Sequence, residues 1–462
     1  MSRNGILLPI SSLPSDYGIG DFGPNAKKFI LWLKERDFSY WQILPINPLG
    51  PGWSPYMTTC SEALDPRFIS LDELKKDKLL DSVKPYCKDN QYVDFYNAYQ
   101  FKEKYLKKAY ARFKKEKRAG LEKFIKANKW VIGFAMFTIF DKKNETRAWN
   151  TWPEEEKNYF KYNKTYTKEY KKEAEYIIFL QYIAYKQWKN VLRFAHKHDI
   201  KIIGDLPFYV GYSSVDCWIN RDYFDLDESY NPRTVAGCPP DAFAAEGQLW
   251  GNPCYDFAKM KKNNFKFLIN RLGAIGKVCD IVRLDHFRAF EKYYAIPGGS
   301  INAVNGEWRD GPAYDFFNAF FKKYKNIDII AEDLGFMTQS VYDLRDHYNL
   351  PGMNVLQFTT LDHNWWNRDN MIVYTGTHDN ETTKGWIDHL SWDERCHLAW
   401  VLQKDPHDDL LEAFIARAYN MPGKMIIIPM MDYMRLGNEA RLNTPSTLGS
   451  PNWEWKLIEF PR

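Results

Sequence analysis

The chain has 462 residues, with 63 Lys and Arg against 59 Asp and Glu, a formal net charge of +4. That near balance argues against a nucleic-acid or membrane-surface partner, either of which calls for a clear basic excess. The apolar run within Met1–Ile10 is too short for a signal peptide, and that at Met425–Met431, broken by Pro429, is too short for a bilayer span, so a cytoplasmic chain is expected.

The seven cysteines are scattered, with no CxxC or Cys/His ligand spacing, and read as reduced thiols. Aromatic residues make up 17% of the chain, enough for a large core and for surfaces that stack on sugar rings.

In chain order, short apolar runs predict strands at Ile6–Pro9, Tyr40–Leu44, Lys201–Gly204, Ile281–Leu284, Ile329–Ala331, Asn354–Phe358, Ile372–Tyr374 and Met425–Pro429. Amphipathic stretches between them, including Ala26–Lys34, Glu173–His196, Ala313–Lys325 and Asp408–Ala418, predict helices. Eight strands alternating with helices specify an α/β fold, a (β/α)8 TIM barrel with helical and loop insertions on its C-terminal face. An open doubly wound sheet would want a Gly-rich phosphate turn after an early strand, and there is none.

Residues 1–462 then form one catalytic barrel. About 61–172, rich in Lys, Glu and Tyr, reads as a helical insertion between strands two and three. Its lysines at Lys102, Lys104, Lys107, Lys108, Lys114, Lys115 and Lys117 read as a solvated helix face. About 208–258 and 286–312 read as loop insertions at the end where barrel active sites sit.

Four strands end in acidic residues. Asp205 follows the third strand, Arg283 and Asp285 close the fourth, Glu332 and Asp333 the fifth, and His378 and Asp379 the seventh. Any one of these reads equally as a helix cap or Asx turn. Four converging on one barrel face favour chemistry, because burying several carboxylates together is costly. Arg283 and Asp285, two apart on a strand, share a face. Asp333 points opposite to Glu332 and reads as structural. His286 reads more readily as a packed core histidine than as a ligand contact.

Such a set suits glycosidic-bond cleavage, in which one carboxylate attacks the anomeric carbon and one carboxylic acid protonates the departing oxygen. Arg283 is expected to lower the pKa of Asp285 and keep it ionised; burial among negative neighbours is expected to keep Glu332 protonated.

At these residues the chain resembles the 4-α-glucanotransferases called amylomaltase or D-enzyme, glycoside hydrolase family 77, relatives of the α-amylase superfamily. The resemblance extends through Gly5-Ile-Leu-Leu8, Ser12-Leu-Pro14, Tyr17-Gly-Ile-Gly-Asp21, Tyr40-Trp-Gln-Ile-Leu-Pro45, Ser54-Pro-Tyr56 and Gly204-Asp-Leu-Pro207. It continues in Pro239-Pro-Asp241, Gly247-Gln-Leu-Trp-Gly-Asn-Pro253, Ala303-Val-Asn-Gly306, Arg441-Leu-Asn-Thr-Pro445 and Asn452-Trp453. It implies Asp285 as nucleophile, Glu332 as general acid/base and Asp379 as transition-state stabiliser. It implies substrate contacts from Tyr56, Asp205, Gln248, Trp250, Arg283 and His378, with maltooligosaccharides and α-1,4-glucans as substrates.

No metal and no organic cofactor are expected. The chain departs from the family's usual Gly at Ala289 and usual Asp at Glu381, and its Leu361–Asn370 segment lacks the usual Asn-Pro-Tyr pattern. A hydrolase of the same superfamily would share the carboxylates, and a glucan-binding protein would lack a working set. The Gly247–Pro253 motif favours the transferase, with Trp250, Tyr56 and Phe243 as an apolar cover that disfavours water as acceptor.

Overall fold

The computed structural model describes residues 2–462 apart from 87–89, 117–118, 146, 164, 241–243 and 362–368. The described strands, in chain order, are β1 (Asn4–Leu7), β2 (Tyr40–Gln42), β3 (Lys201–Leu206), β4 (Thr234–Cys238), β5 (Gln248–Pro253) and β6 (Ile281–Leu284). They continue as β7 (Lys292–Pro297), β8 (Glu307–Asp310), β9 (Asp328–Ala331), β10 (Gly352–Val355), β11 (Met371–Tyr374) and β12 (Met425–Pro429).

Eight of these lie parallel in the order β10-β11-β12-β1-β2-β3-β6-β9. The two ends of that order meet where the Ala331 N–H donates to the Pro351 carbonyl at 2.9 Å. The sheet is thus a nearly closed (β/α)8 barrel. Each of the eight expected strands is present. Strands β6, β10, β11 and β12 are buried along their whole length, which explains their unbroken apolar sequence.

The expected helices form at Pro24–Glu35, Lys171–Lys197, Ala313–Lys323 and Leu410–Asn420, each burying an apolar stripe against the barrel. In the first of them Phe29 sits edge-on to Trp41 of β2, ring centroids 5.0 Å apart.

The sixth barrel strand ends at Val355, and Leu356–Thr359 turn into a short helix. The apolar pair Val355-Leu356 suits either conformation, so the expected strand at Asn354–Phe358 is displaced toward its N-terminus.

Between β2 and β3 lie the helices Phe95–Lys115 and Trp130–Lys143. On the first, Lys104, Lys107, Lys108, Lys114 and Lys115 are exposed, but Lys102 is fully buried. Its ammonium donates to the Arg67 carbonyl at 2.7 Å and to Asp21 Oδ2 at 3.3 Å. Lys102, expected on a solvated face, is therefore an internal tie, because its position faces the loop of Asp21 and the turn of Arg67 and two acceptors compensate its desolvation. Lys117 lies outside the described residues.

The two long excursions read as loops carry a second sheet. Strands β5-β4-β7-β8 pair antiparallel in that order, with an irregularity between Val235 and Gly237. These strands are short and two-sided, and their alternation is broken by Gly237 and Gly251, so their sequence carries little period-2 signal.

Close strand packing constrains β1. A Cβ on Gly5 would stand 2.6 Å from Tyr40 Cβ and 2.7 Å from Ile427 Cδ1, its register neighbours on both sides. Gly5→Ala is expected to cost roughly 1–3 kcal/mol by overpacking, read as a lower denaturant midpoint than wild type. A variant as stable as wild type would mean the barrel spreads freely at this seam.

Candidate active site

The barrel register brings the strand-end charges together. Asp205 on β3 stands opposite Arg283 on β6 in the parallel ladder, both side chains nearly fully buried. Arg283 Nη1 donates to both Asp205 oxygens at 2.8 Å and to Asp285 Oδ1 at 3.2 Å. Asp205 Oδ2 also accepts the Tyr56 hydroxyl at 2.6 Å. The side chain of Asp285 keeps a quarter of its surface open to the cleft.

Glu332, just past β9, is held from the β6 side. Its Oε2 accepts the backbone N–H of His286 at 2.7 Å, and its Oε1 accepts that of Leu334 at 3.1 Å. His286 follows Asp285 directly and adopts the left-handed conformation, φ 49°, which aims that N–H across to the next strand end. Asp333, as expected of a structural residue, turns away. It ion-pairs with buried Arg345 and accepts the Met353 N–H at 2.7 Å.

From the seventh barrel strand's loop, His378 Nε2 lies 3.4 Å from Asp379 Oδ2. The His378 ring stacks on Tyr56 at 5.1 Å between centroids. Two residues assigned no role from sequence hold Asp379. Asn443 Nδ2 donates to its Oδ1 at 2.7 Å, and Arg441 Nη2 donates to its backbone carbonyl at 3.0 Å. Both lie in the Arg441–Pro445 motif, so the signal was present without a contact to attach it to. Glu381, the departure beside this loop, accepts from Asn438 Nδ2 at 2.7 Å.

Gln248 and Trp250 lie on β5. The Trp250 indole N–H donates to Gln248 Oε1 at 3.0 Å, and its ring stands edge-on to His286 at 4.9 Å. Tyr209 reaches both rings, at 6.3 Å from each. Trp250 thus rests on the residue beside Asp285. Phe243 and residues 362–368 lie outside the described residues.

Electrostatics separate the two facing carboxyls. Burial raises the pKa of Asp285 to about 7, with Arg283 opposing and Asp205 and Asp379 adding to the rise. Burial raises Glu332 further, to about 8, with Arg283 and the His286 N–H opposing and Asp285 adding. The expectation that Arg283 would hold Asp285 below the ordinary range is therefore corrected. The same guanidinium is already shared with Asp205, and desolvation outweighs what remains. Burial raises both carboxyls, Glu332 further than Asp285, and because Asp285 adds to the rise in Glu332 the two titrate as a pair. His286, pushed down to about 4 by burial and by Arg288, is neutral.

The expected site residues Tyr56, Asp205, Arg283, Asp285, Glu332, His378 and Asp379 form one connected cluster, and Gln248 and Trp250 join it through His286. Among the described residues no group of three metal-ligating side chains occurs, and no helix is long and apolar enough to cross a membrane.

A family model described as 4-alpha-glucanotransferase matches residues 8–459. A 4-alpha-glucanotransferase of Clostridium butyricum is 38% identical, with 97% of this chain and 94% of that protein covered. The chloroplastic/amyloplastic 4-alpha-glucanotransferase of Solanum tuberosum is 36% identical, with 98% and 82% covered. Among solved structures, an amylomaltase from Streptococcus agalactiae in complex with acarbose superimposes with a TM-score of 0.93 at 31% identity, covering 99% and 95% of the two chains. Similarity this extensive runs through barrel and loops alike, and the chain belongs to the 4-α-glucanotransferase family, glycoside hydrolase family 77, whose members carry out transglycosylation.

Proposed function

We propose that this enzyme transfers α-1,4-glucan segments by a retaining double displacement, in which Asp285 is the nucleophile and Glu332 the general acid/base. The observation that carries the assignment is the link from His286 N–H to Glu332, which fixes the second carboxyl across from the first. Asp285 Oδ attacks the anomeric carbon as Glu332 protonates the departing O4, leaving a glycosyl–aspartate ester and a free sugar. Glu332, now a carboxylate, takes the proton of the acceptor 4-hydroxyl; that oxygen displaces Asp285 and the α-linkage is restored. No net proton is consumed.

Asp379 supports the oxocarbenium-like transition state. Its carboxylate is half exposed to the cleft and oriented by Asn443. Arg283, Asp205, Tyr56 and His378 form a buried polar wall suited to the hydroxyls of the reacting ring, and Gln248 and Trp250 flank the leaving and entering sugars. Maltooligosaccharides are the substrates this reading requires. The acarbose complex of the Streptococcus agalactiae relative supports it. The free thiols of Cys60, Cys217, Cys254 and Cys279 support a reducing compartment, the cytoplasm. We read the chain as a single catalytic domain whose insertions serve one cleft.

Incubated with maltotriose, the enzyme is expected to give glucose and a ladder of longer maltooligosaccharides with little gain in reducing ends. Conversion to glucose and maltose with reducing ends rising in step would instead make it a hydrolase. Asp285→Ala is expected to abolish transfer with the fold intact by circular dichroism; surviving activity removes Asp285 from the nucleophile role.

The profile of kcat/KM against pH is expected to be bell-shaped, rising as Asp285 ionises and falling as Glu332, pushed up to about 8, loses its proton. Glu332→Gln is expected to lose the alkaline limb together with roughly 10²–10⁴-fold in rate. An alkaline limb that persists in that variant would belong to another group.

Trp250→Ala is expected to lower transfer about five- to tenfold more than residual hydrolysis, as loss of one stacking surface implies. Equal loss of both would make Trp250 a packing residue.

A further inference from the structure

Both loops that bear the facing carboxyls lead, within a few residues, to an aromatic surface that the reaction as described does not use. Phe336 lies four residues beyond Glu332, so its backbone is within about 14 Å of that of Glu332 by chain length alone. It is 65% exposed. Its ring lies 6.1 Å from that of Trp308, on the edge strand β8, with the planes at 24°. Arg288, three residues beyond Asp285, places its guanidinium 3.9 Å over Trp308 and 5.3 Å from Phe336.

Arg288 is itself 96% buried, the complement of its 4% exposure, and among the described residues its Nε and Nη1 have no hydrogen-bond partner. A guanidinium held over an indole fixes that ring by cation–π attraction. A large aromatic left 65% exposed beside a fixed indole is a surface that a sugar ring can cover.

The side of the cleft matters. The reacting ring is taken by the wall of Tyr56, Asp205, Arg283 and His378. On that reading the sugar protonated by Glu332 lies on the Glu332 side of the reacting ring, and the loop after Glu332 leads to Phe336.

We propose that Phe336 and Trp308, steadied by Arg288, form an outer acceptor subsite on which the α-1,4-glucan acceptor stacks a sugar ring beyond the one that reacts. The ligand class is an acceptor chain of several glucosyl units, because glucose alone, seated at the carboxyls, does not reach the platform. Both loops that carry the surface start at the carboxyls, three residues before Arg288 and four before Phe336, which favours a glucan over a second copy of the chain as its occupant. The proposal rests on the assignment of Asp285 and Glu332 made above.

The test uses the full chain with unlabelled maltotriose as donor and, as competing acceptors, glucose and maltopentaose labelled at the reducing end. In Phe336→Ala and Trp308→Ala the ratio of kcat/KM for maltopentaose over glucose is expected to fall about fivefold, the effect of losing one stacking partner. Phe336→Trp is expected to restore it.

A ratio unchanged in both alanine variants, with thermal unfolding matching wild type, overturns the subsite. Equal losses with both acceptors also overturn it, since the rings would then only support the Glu332 loop. A wild type that sediments as a dimer and a Phe336→Ala variant that sediments as a monomer would give the surface to a second copy instead. Activity surviving in Asp285→Ala sinks the carboxylate assignment alone, because the acceptor ratio is still measured.

Discussion

A single guanidinium organises the mouth of this barrel. Arg283 is buried with two carboxylates against one of its nitrogens, so each negative charge on the site is set against the same cation. Taking such charges out of water costs several kcal/mol per ion, and only close hydrogen-bonded geometry offsets it. Asp205 takes the better share, with both oxygens at 2.8 Å and the Tyr56 hydroxyl in addition. Asp285 is left with one longer contact and an exposed edge. The cation thus anchors Asp205 and leaves an edge of Asp285 exposed.

Glu332 feels the same charges at longer range. It receives two backbone N–H groups and, among the described residues, no direct hydrogen bond from a guanidinium. Two carboxyls in one desolvated cleft do not both ionise readily, and burial raises the one without the direct cation contact further. The left-handed backbone at His286, costing roughly 1–2 kcal/mol for a non-glycine residue, is what turns the next N–H toward Glu332. That strain is sustained by packing, since the His286 ring is wedged against Trp250 and Tyr209.

The second sheet supplies what the barrel cannot. Barrel strands end in small polar constellations. The antiparallel strands β5 and β8 carry Trp250 and Trp308 in a separate layer, and Trp250 packs on His286 beside Asp285. Charged residues thus stand on rigid barrel strands and large aromatic faces on a sheet inserted between them.

By itself the sequence determined the barrel and the identity of the converging charges. Eight apolar runs bounded by turn residues recur at helix-separated intervals, and the side-chain period of a strand puts Arg283 and Asp285 on one face whatever surrounds them. Their family motifs are likewise contiguous in the chain. What only the tertiary structure decided are relations between residues far apart in sequence. Nothing local marks Lys102 as buried, since a lysine in a Lys-rich helix faces water or the barrel according to what packs there. Nothing local shows that Asn443 orients Asp379, that His286 lends its N–H to Glu332, or that the segments after β3 and β6 pair as one sheet. The pKa of Asp285 moved opposite to the sequence expectation for the same reason. A neighbour two residues away is legible in the chain, but the burial that outweighs it, and the second carboxylate that shares its cation, arise only when the strands close into a barrel.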